Sequence, residues 1–440
     1  MRFFASSLVV AALAAPLAPQ DPTPPKAQPP SRREIDALVE RFFALDPKTE
    51  QGYREQEELL ARLALVPPLE AKEAEKWREK LLKEQREGRE LEKKGGRHWY
   101  WEDEERGLYY VGGKTRRPKG LFIGMHGGGK GQGDASSSLS TWSSAVGEMD
   151  WVGVFPEVLE KTEHGWTTSG TEEWVIDLVE AAKRTWDIDP DRVYFGGHSM
   201  GGYGTWMLGA HHQDVVAGLT PSAGAPTPVF SGGEVVDVIA GVIPNLRNTR
   251  IRIYQSDDDR NVPPEANRMA AKKLAEAQER WGGYDFEYWE VPGRGHDTPP
   301  GGVEALLEKV ADAVRNPRPE KIVWQATKAW KRHCYWLYWD APVFGTLIEA
   351  ELDREANTVR VSADASPEGM WVLLDDELLD LDREVVVSFG GEEVWRGVPE
   401  RALATLVLTG QRNDARLMFD ARVPLWADAK TGPETGPETE

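Results

Sequence analysis

Cysteine is almost absent from this chain: Cys334 is the single thiol in 440 residues. One thiol cannot close an intramolecular disulfide, so stability has to come from core packing. Positive charge is also short. Against 73 Asp and Glu stand 53 Lys and Arg, for a net charge of −20, which repels both a phosphate backbone and an anionic bilayer and disfavours nucleic-acid binding. Beyond the first 19 residues no stretch is apolar enough to cross a membrane. Neither GxxxxGK(S/T) nor a correctly spaced GxGxxG occurs, so nucleotide binding is discounted and no cofactor is expected.

What is present points to a large globular protein. Hydrophobic residues make up 40%, with 18 Trp, and the length suggests two or three domains. Residues 1–19 carry Arg2, an apolar run from Phe3 to Ala15 and small residues at Ala12-Leu13-Ala14, which together describe a secretory signal peptide. The expected location is therefore exported, periplasmic or extracellular, with no membrane insertion after signal removal. No cysteine directly follows the run, so a lipid anchor is not indicated.

Residues 20–96 read as a Pro-rich linker and a helical segment. Ser31 and Glu34 form a capping box, and Ile35, Leu38, Val39, Phe42 and Phe43 recur on one helical face. Similar patterns surround Leu59, Leu60 and Leu63, and then Trp77, Leu81 and Leu82. From 97 to 316 strand and helix alternate: strands at Lys119 to Met125, Trp151 to Phe155, Asp191 to Phe195, Val216 to Thr220, Arg250 to Gln255 and Phe286 to Val291, with helices at Glu172 to Trp186, Glu265 to Glu279 and Val303 to Val314. Alternation of this kind implies a mostly parallel sheet with helices on both faces. Residues 317–425 read as a β-rich, sandwich-like domain, with strands among others at Cys334 to Trp339 and Ala415 to Ala421 and a helical option at Glu400 to Leu408. Residues 426–440 read as a disordered tail.

The chemistry centres on Gly197-His198-Ser199-Met200-Gly201, a strand, a sharp turn and a helix with Ser199 at the apex. A nucleophile in such a turn needs small residues two before and two after it. A serine hydroxyl also needs a neutral imidazole to take its proton and a carboxylate to orient that imidazole. With only eight histidines the search for the base is exhaustive. His296, in the loop leaving the last strand, is the one at the required place. For the acid, the strand at Arg250 to Gln255 ends in Ser256-Asp257-Asp258-Asp259, and position alone leaves the three aspartates open. The Gly-rich loop His126-Gly127-Gly128-Gly129 follows a strand and can offer backbone amides to an oxyanion, with the Met200 amide as second donor.

These motifs resemble the α/β-hydrolase superfamily, and within it secreted esterases of the polyhydroxybutyrate-depolymerase and feruloyl-esterase type. The likeness covers about Trp99 to Asn316 and rests on His126 to Gly129, on Asp189 to Tyr194 leading into Gly197 to Gly202, and on Gly293-x-Gly295-His296. In that family the acid follows a GxxDxxVP pattern. Ser256 replaces its glycine here, while Asp259 with Val262-Pro263 matches the rest and selects Asp259. The resemblance implies a carboxylic ester hydrolase acting through an acyl-enzyme, with Ser199, Asp259 and His296 as the triad and Gly127, Gly128 and Met200 around the oxyanion. The substrate is then a small-molecule or polymeric ester. The alternatives are a serine peptidase of the prolyl-oligopeptidase type and a non-catalytic polymer- or carbohydrate-binding protein on the same scaffold.

Three further features carry two readings each. Trp166 is a wall of the substrate pocket or a packing residue. Trp324, Trp330, Trp336, Trp339, Trp371 and Trp395 offer a polymer or polysaccharide surface or, as the favoured reading, core. Asp353, Asp375, Asp376, Asp380 and Asp382 suggest Ca²⁺, but their spacing fits no EF-hand loop, and no metal is expected.

Overall fold

The computed structural model describes residues 28–85 and 88–426. The expected signal peptide, most of the Pro-rich linker and residues 427–440 of the tail lie outside the described residues. Three amphipathic helices come first, α1 (Arg32–Ala44), α2 (Glu50–Leu63) and α3 (Ala71–Gln85). Ser31 caps α1 as the spacing predicts, its Oγ accepting from the Glu34 amide at 3.4 Å.

The alternating region follows in the order β1 (Gly96–Trp101), β2 (Arg106–Gly113), β3 (Gly120–Met125), α4 (Ala135–Glu148), β4 (Trp151–Pro156), α5 (Thr171–Trp186), β5 (Val193–His198), α6 (Met200–His211) and β6 (Gly218–Ser222). It continues through a hairpin of β7 (Pro228–Ser231) and β8 (Glu234–Val238) to β9 (Arg250–Ser256), α7 (Glu265–Trp281), β10 (Phe286–Val291) and the one-turn α8 (Glu304–Leu307). Eight strands form one sheet in the order β1-β2-β4-β3-β5-β6-β9-β10. The two pairings of β2 are antiparallel, and from β4 to β10 every neighbour is parallel.

Strand alternation splits the side chains between two cores. Leu121, Ile123, Val193, Phe195, Ile251 and Ile253 pack with α5, α6 and α7. Phe122, Tyr194 and Tyr254 point the other way, against α4 and the segment around α8. This is the mostly parallel, helix-flanked sheet that the strand–helix alternation predicts. It brings the carboxyl ends of β3, β5, β9 and β10 to one edge, where such sheets hold their sites.

The C-terminal region comprises β11 (Lys321–Gln325), β12 (His333–Cys334), β13 (Leu337–Trp339), β14 (Leu347–Asp353), β15 (Thr358–Ala363), β16 (Met370–Leu374), β17 (Val385–Phe389), β18 (Glu392–Gly397), α9 (Leu403–Gly410) and β19 (Ala421–Pro424). They make two sheets, β11-β14-β15-β17-β18 and β12-β13-β16-β19. One core joins both sheets to the wholly buried α9 and to Ile35, Phe42, Leu60, Leu63 and Leu81 of the N-terminal helices. In packing terms the first three helices therefore belong with the last hundred residues. Trp324, Trp336 and Trp339 are buried in this core, while Trp371 is held between Trp426 and Arg422. The acidic run is paired with arginine: Asp375 with Arg318, and Asp376 and Asp382 with Arg401.

Some elements differ from expectation. Val303 to Val314 is not a continuous helix. After α8 the chain runs on through i to i+3 bonds at Lys309, Val310 and Ala313, and a period near three still buries Val303, Leu306, Leu307 and Val310 on one side. Cys334 to Trp339 is broken at Tyr335, whose φ of 51° folds it into the hairpin β12–β13. At Ala415 to Ala421 a single turn (Ala415–Leu417) precedes a strand that starts only at Ala421. The sequence reading assigns nothing to the serine-rich α4, which Asp134 caps by accepting from the Ser137 amide, nor to β7–β8.

The two regions are joined by buried charge. Asp214, just past α6, takes Lys331 Nζ at 2.6 Å and also pairs with Arg412. Arg315 binds Asp191 at 2.6 Å and Asp414 at 2.8 Å.

Candidate active site

Ser199 stands between β5 and α6 with φ 60° and ψ −123°, a backbone conformation disfavoured for any side chain with a Cβ. The turn survives because its surroundings leave no alternative. The Ser199 amide donates to the Ser222 carbonyl of β6 at 2.9 Å, and the Ser199 carbonyl accepts from the Tyr203 amide at 3.0 Å. A Cβ on Gly197 would lie 2.5 Å from the Gly201 carbonyl oxygen, and one on Gly201 would lie 2.1 Å from the Met125 carbonyl oxygen. The small residues of the pentapeptide are thus required by backbone approaching backbone.

The three sequence-predicted polar residues meet at the carboxyl edge of the sheet. Ser199 Oγ donates to His296 Nε2 across 2.8 Å, and His296 Nδ1 donates to Asp259 Oδ2 across 2.7 Å. Asp259 is buried, and its other oxygen accepts from the amides of Asn261 and Val262 at 2.9 and 3.0 Å. Its neighbours do different work. Asp257 accepts from the Gly293 amide at 3.0 Å, and Asp258 accepts from the Gly295 amide at 2.7 Å and from Ser256 Oγ at 2.7 Å. Both therefore fasten the loop that carries His296, and only Asp259 reaches the imidazole. Position in the sequence left these three equivalent; the fold separates them.

Met200 opens α6, so its amide has no acceptor within the helix and adds to the positive helix end beside Ser199. Gly127 lies against the turn, its Cβ position 3.2 Å from the Ser199 Cβ. His126 controls the loop in a way the sequence did not reveal. Its Nε2 accepts from the Val158 amide at 3.2 Å, so Nδ1 carries the hydrogen and donates to the Gly127 carbonyl at 2.7 Å. Burial lowers the affinity of this ring for a second proton. A trans peptide turns its N–H away from its carbonyl, so the Gly128 amide faces away from His126, and Gly128 borders the cavity with Ser199. At φ 140°, with Gln132 backbone 2.5 Å from a Cβ position, only glycine fits there.

The open cavity beside Ser199 has a volume of about 1020 Å³. Tyr203 and His164 form one wall, with ring centroids 5.0 Å apart, and Tyr203 OH shares a 2.9 Å hydrogen bond with Thr167. The β7–β8 hairpin forms the other and carries the exposed Phe230. Tyr203 follows Ser199 by four residues, one helical turn, and that spacing was the available signal. The hairpin left none beyond its Gly232-Gly233 turn.

Trp166 does not line this cavity, which corrects the pocket-wall reading. Its side chain has 0% exposure, and its Nε1 donates to the His126 carbonyl at 3.2 Å. The ring fills the space above Gly204 of α6. His198, by contrast, sits beside the triad: its Nδ1 is 3.1 Å from Ser222 Oγ and its ring 4.9 Å from that of His296. Burial, reinforced by the nearby His296, lowers His198 to about 4. Among the described residues no group of three or more His, Cys, Asp or Glu is placed to hold a metal ion, and no helix is long and apolar enough to cross a membrane.

No protein-family model matches the chain. In an alignment of 168 positions that covers 33% of this chain, it is 24% identical to a bifunctional acetylxylan esterase/xylanase of Neocallimastix patriciarum. The match covers 24% of that protein, so the chain spans about a quarter of the curated relative's length. Among solved structures it is similar to a thermostable esterase, with TM-score 0.39 and 20% identity over 50% of this chain and 63% of that one. It is also similar to esterase 2 of Thermogutta terrifontis, with TM-score 0.37 and 14% identity over 46% and 84%. A ferulic acid esterase of Anaeromyces mucronatus gives TM-score 0.34 and 16% identity over 50% and 89%.

Proposed function

We propose that this chain is an exported serine hydrolase that cleaves carboxylic esters through an acyl-enzyme. The observation that carries the reading is the continuous hydrogen-bonded line from Asp259 through His296 to Ser199, ending at a strained turn on the positive end of α6. In this mechanism His296 Nε2 takes the hydroxyl proton as Ser199 Oγ bonds to the ester carbonyl carbon. Asp259 holds the imidazole with its hydrogen on Nδ1 and balances the imidazolium. The carbonyl oxygen becomes an oxyanion facing the amides of Met200 and of Gly127 or Gly128. Its collapse breaks the bond to the alcohol oxygen, which leaves with the proton from Nε2. Water then bonds to the acyl carbon and gives a proton to His296 Nε2; collapse breaks the bond to Ser199 Oγ, which takes that proton back as the acid leaves.

The 24% identical relative is named for two activities, and ester hydrolysis is the one that a serine with an imidazole base performs. Polyhydroxybutyrate, feruloyl and acetylxylan esters are the substrate classes to compare. Export rests on the Arg2 and Phe3 to Ala15 pattern.

The test is labelling of the purified chain with a fluorophosphonate, alongside turnover of p-nitrophenyl acyl esters and of peptide anilides, with Ser199→Ala in parallel. Labelling and ester turnover that both vanish in the variant are expected. No labelling and no ester turnover by the wild type removes the reading, and cleavage confined to the anilides replaces it with a peptidase.

A further inference from the structure

We infer that the cavity beside Ser199 accepts uncharged or cationic esters and turns away anionic ones, an inference that rests on the ester-hydrolase reading above. Three carboxylates reach the cavity from three separate elements: Glu163 from the loop after β4, Glu234 from the start of β8 and Glu265 from the start of α7. Among the described residues no Lys or Arg lines it. Nearby cations are engaged elsewhere: Lys161 with Glu157 at 3.1 Å, Arg294 with Asp297 at 3.1 Å and Arg268 with Glu290 at 2.6 Å. Lys130 and Arg260 are exposed and stand outside the lining. Glu265 has Arg268 at 3.8 Å, whereas Glu163 and Glu234 are exposed and have no ion-pair partner among the described residues.

The two helix ends at the cavity sharpen the contrast. The positive end of α6 lies at Ser199, where the reacting oxygen gains its charge. That of α7 is offset by Glu265 in its first turn. Attraction for negative charge is thus confined to the reacting carbonyl, and a carboxylate anywhere else on the substrate meets glutamates on a protein of net charge −20. Because the glutamates are solvated, the effect is screened by salt over a Debye length of about 8 Å at physiological ionic strength.

The test uses the full chain and two p-nitrophenyl suberates of equal length, one with a methyl ester at its far end and one with a free carboxylate. At low salt kcat/KM is expected to favour the neutral ester about tenfold, mainly through KM. The preference should shrink several-fold in about 0.5 M NaCl and in the double variant Glu163→Gln/Glu234→Gln. Equal turnover of the two esters at low salt overturns the inference while leaving ester hydrolysis standing. So does a preference that neither salt nor the double variant moves, because the selection is then steric. Turnover of neither ester, with no labelling of Ser199, overturns the hydrolase reading and this inference with it.

Discussion

Asp259 binds His296 through one carboxylate oxygen, at 2.7 Å, and is itself fixed through the other by two backbone amides at 2.9 and 3.0 Å. An amide in its place keeps the volume but offers a donor where the imidazole N–H needs an acceptor. Asp259→Asn is therefore expected to lower kcat about ten-thousand-fold. Asp257→Asn and Asp258→Asn, which bind the loop backbone and, for Asp258, Ser256 Oγ but not the imidazole, should stay within about tenfold of wild type. Comparing kcat for the three variants decides which aspartate orients the base.

Gly201 has no room for a methyl group, since a Cβ would sit 2.1 Å from the Met125 carbonyl oxygen. Gly201→Ala has to push α6 away from β3, at a cost of about 3 kcal/mol. Ser199 moves with the helix, and a displacement near 1 Å is expected to cost about a hundredfold in kcat. Denaturant melting and a steady-state assay on the same preparation check both parts.

Trp166 is fully enclosed against His126 and Gly204. Trp166→Ala should lower stability by about 3 to 5 kcal/mol, the usual cost of such a cavity, read as a drop in the urea midpoint. A pocket wall would behave in the opposite way, with KM rising while the midpoint stays put.

Asp214 is buried, and burial alone raises its carboxyl, but the charges of Lys331 and Arg412 outweigh that and hold it well below the usual range. A depressed carboxyl contributes stability above its unfolded value near pH 4, and the contribution is lost as the pH falls through the folded value. Asp214→Asn leaves Lys331 and Arg412 unpaired and should cost about 3 to 5 kcal/mol at neutral pH. Below about pH 4 the variant should lose less further stability than wild type, measured by urea melts across pH.

His198 is lowered from 6.5 to about 4, by burial first and by His296 second. The unfolded chain therefore takes up this proton before the folded one does, and the protein loses stability as the pH drops from 6.5 towards 4. His198→Gln should flatten that part of the stability profile. An unchanged slope would assign the proton uptake to other buried histidines.

Much of the site was legible from sequence because its constraints are local. A serine in a strained turn demands glycines at fixed offsets, and parallel strands deliver their carboxyl ends to a common edge, so Ser199, His296 and the aspartate cluster could be named from motif and strand order. What depended on contacts between distant segments could not. Asp257, Asp258 and Asp259 are chemically identical neighbours, and only the path of the loop from Pro292 to His296 gives each a different partner. Trp166 carries no mark of whether it faces a cavity or Gly204. The first three helices show their apolar faces plainly, yet the sheets that cover them lie more than two hundred residues further on. The sequence by itself determined most strands and helices of the parallel sheet and the positions of Ser199 and His296 at its edge, through periodicity and steric exclusion along the chain. The family pattern already pointed to Asp259, but the tertiary structure decided how each of the three aspartates is held, which aromatic residues wall the cavity and which charges are buried, because those depend on side chains that meet only after the sheet has formed.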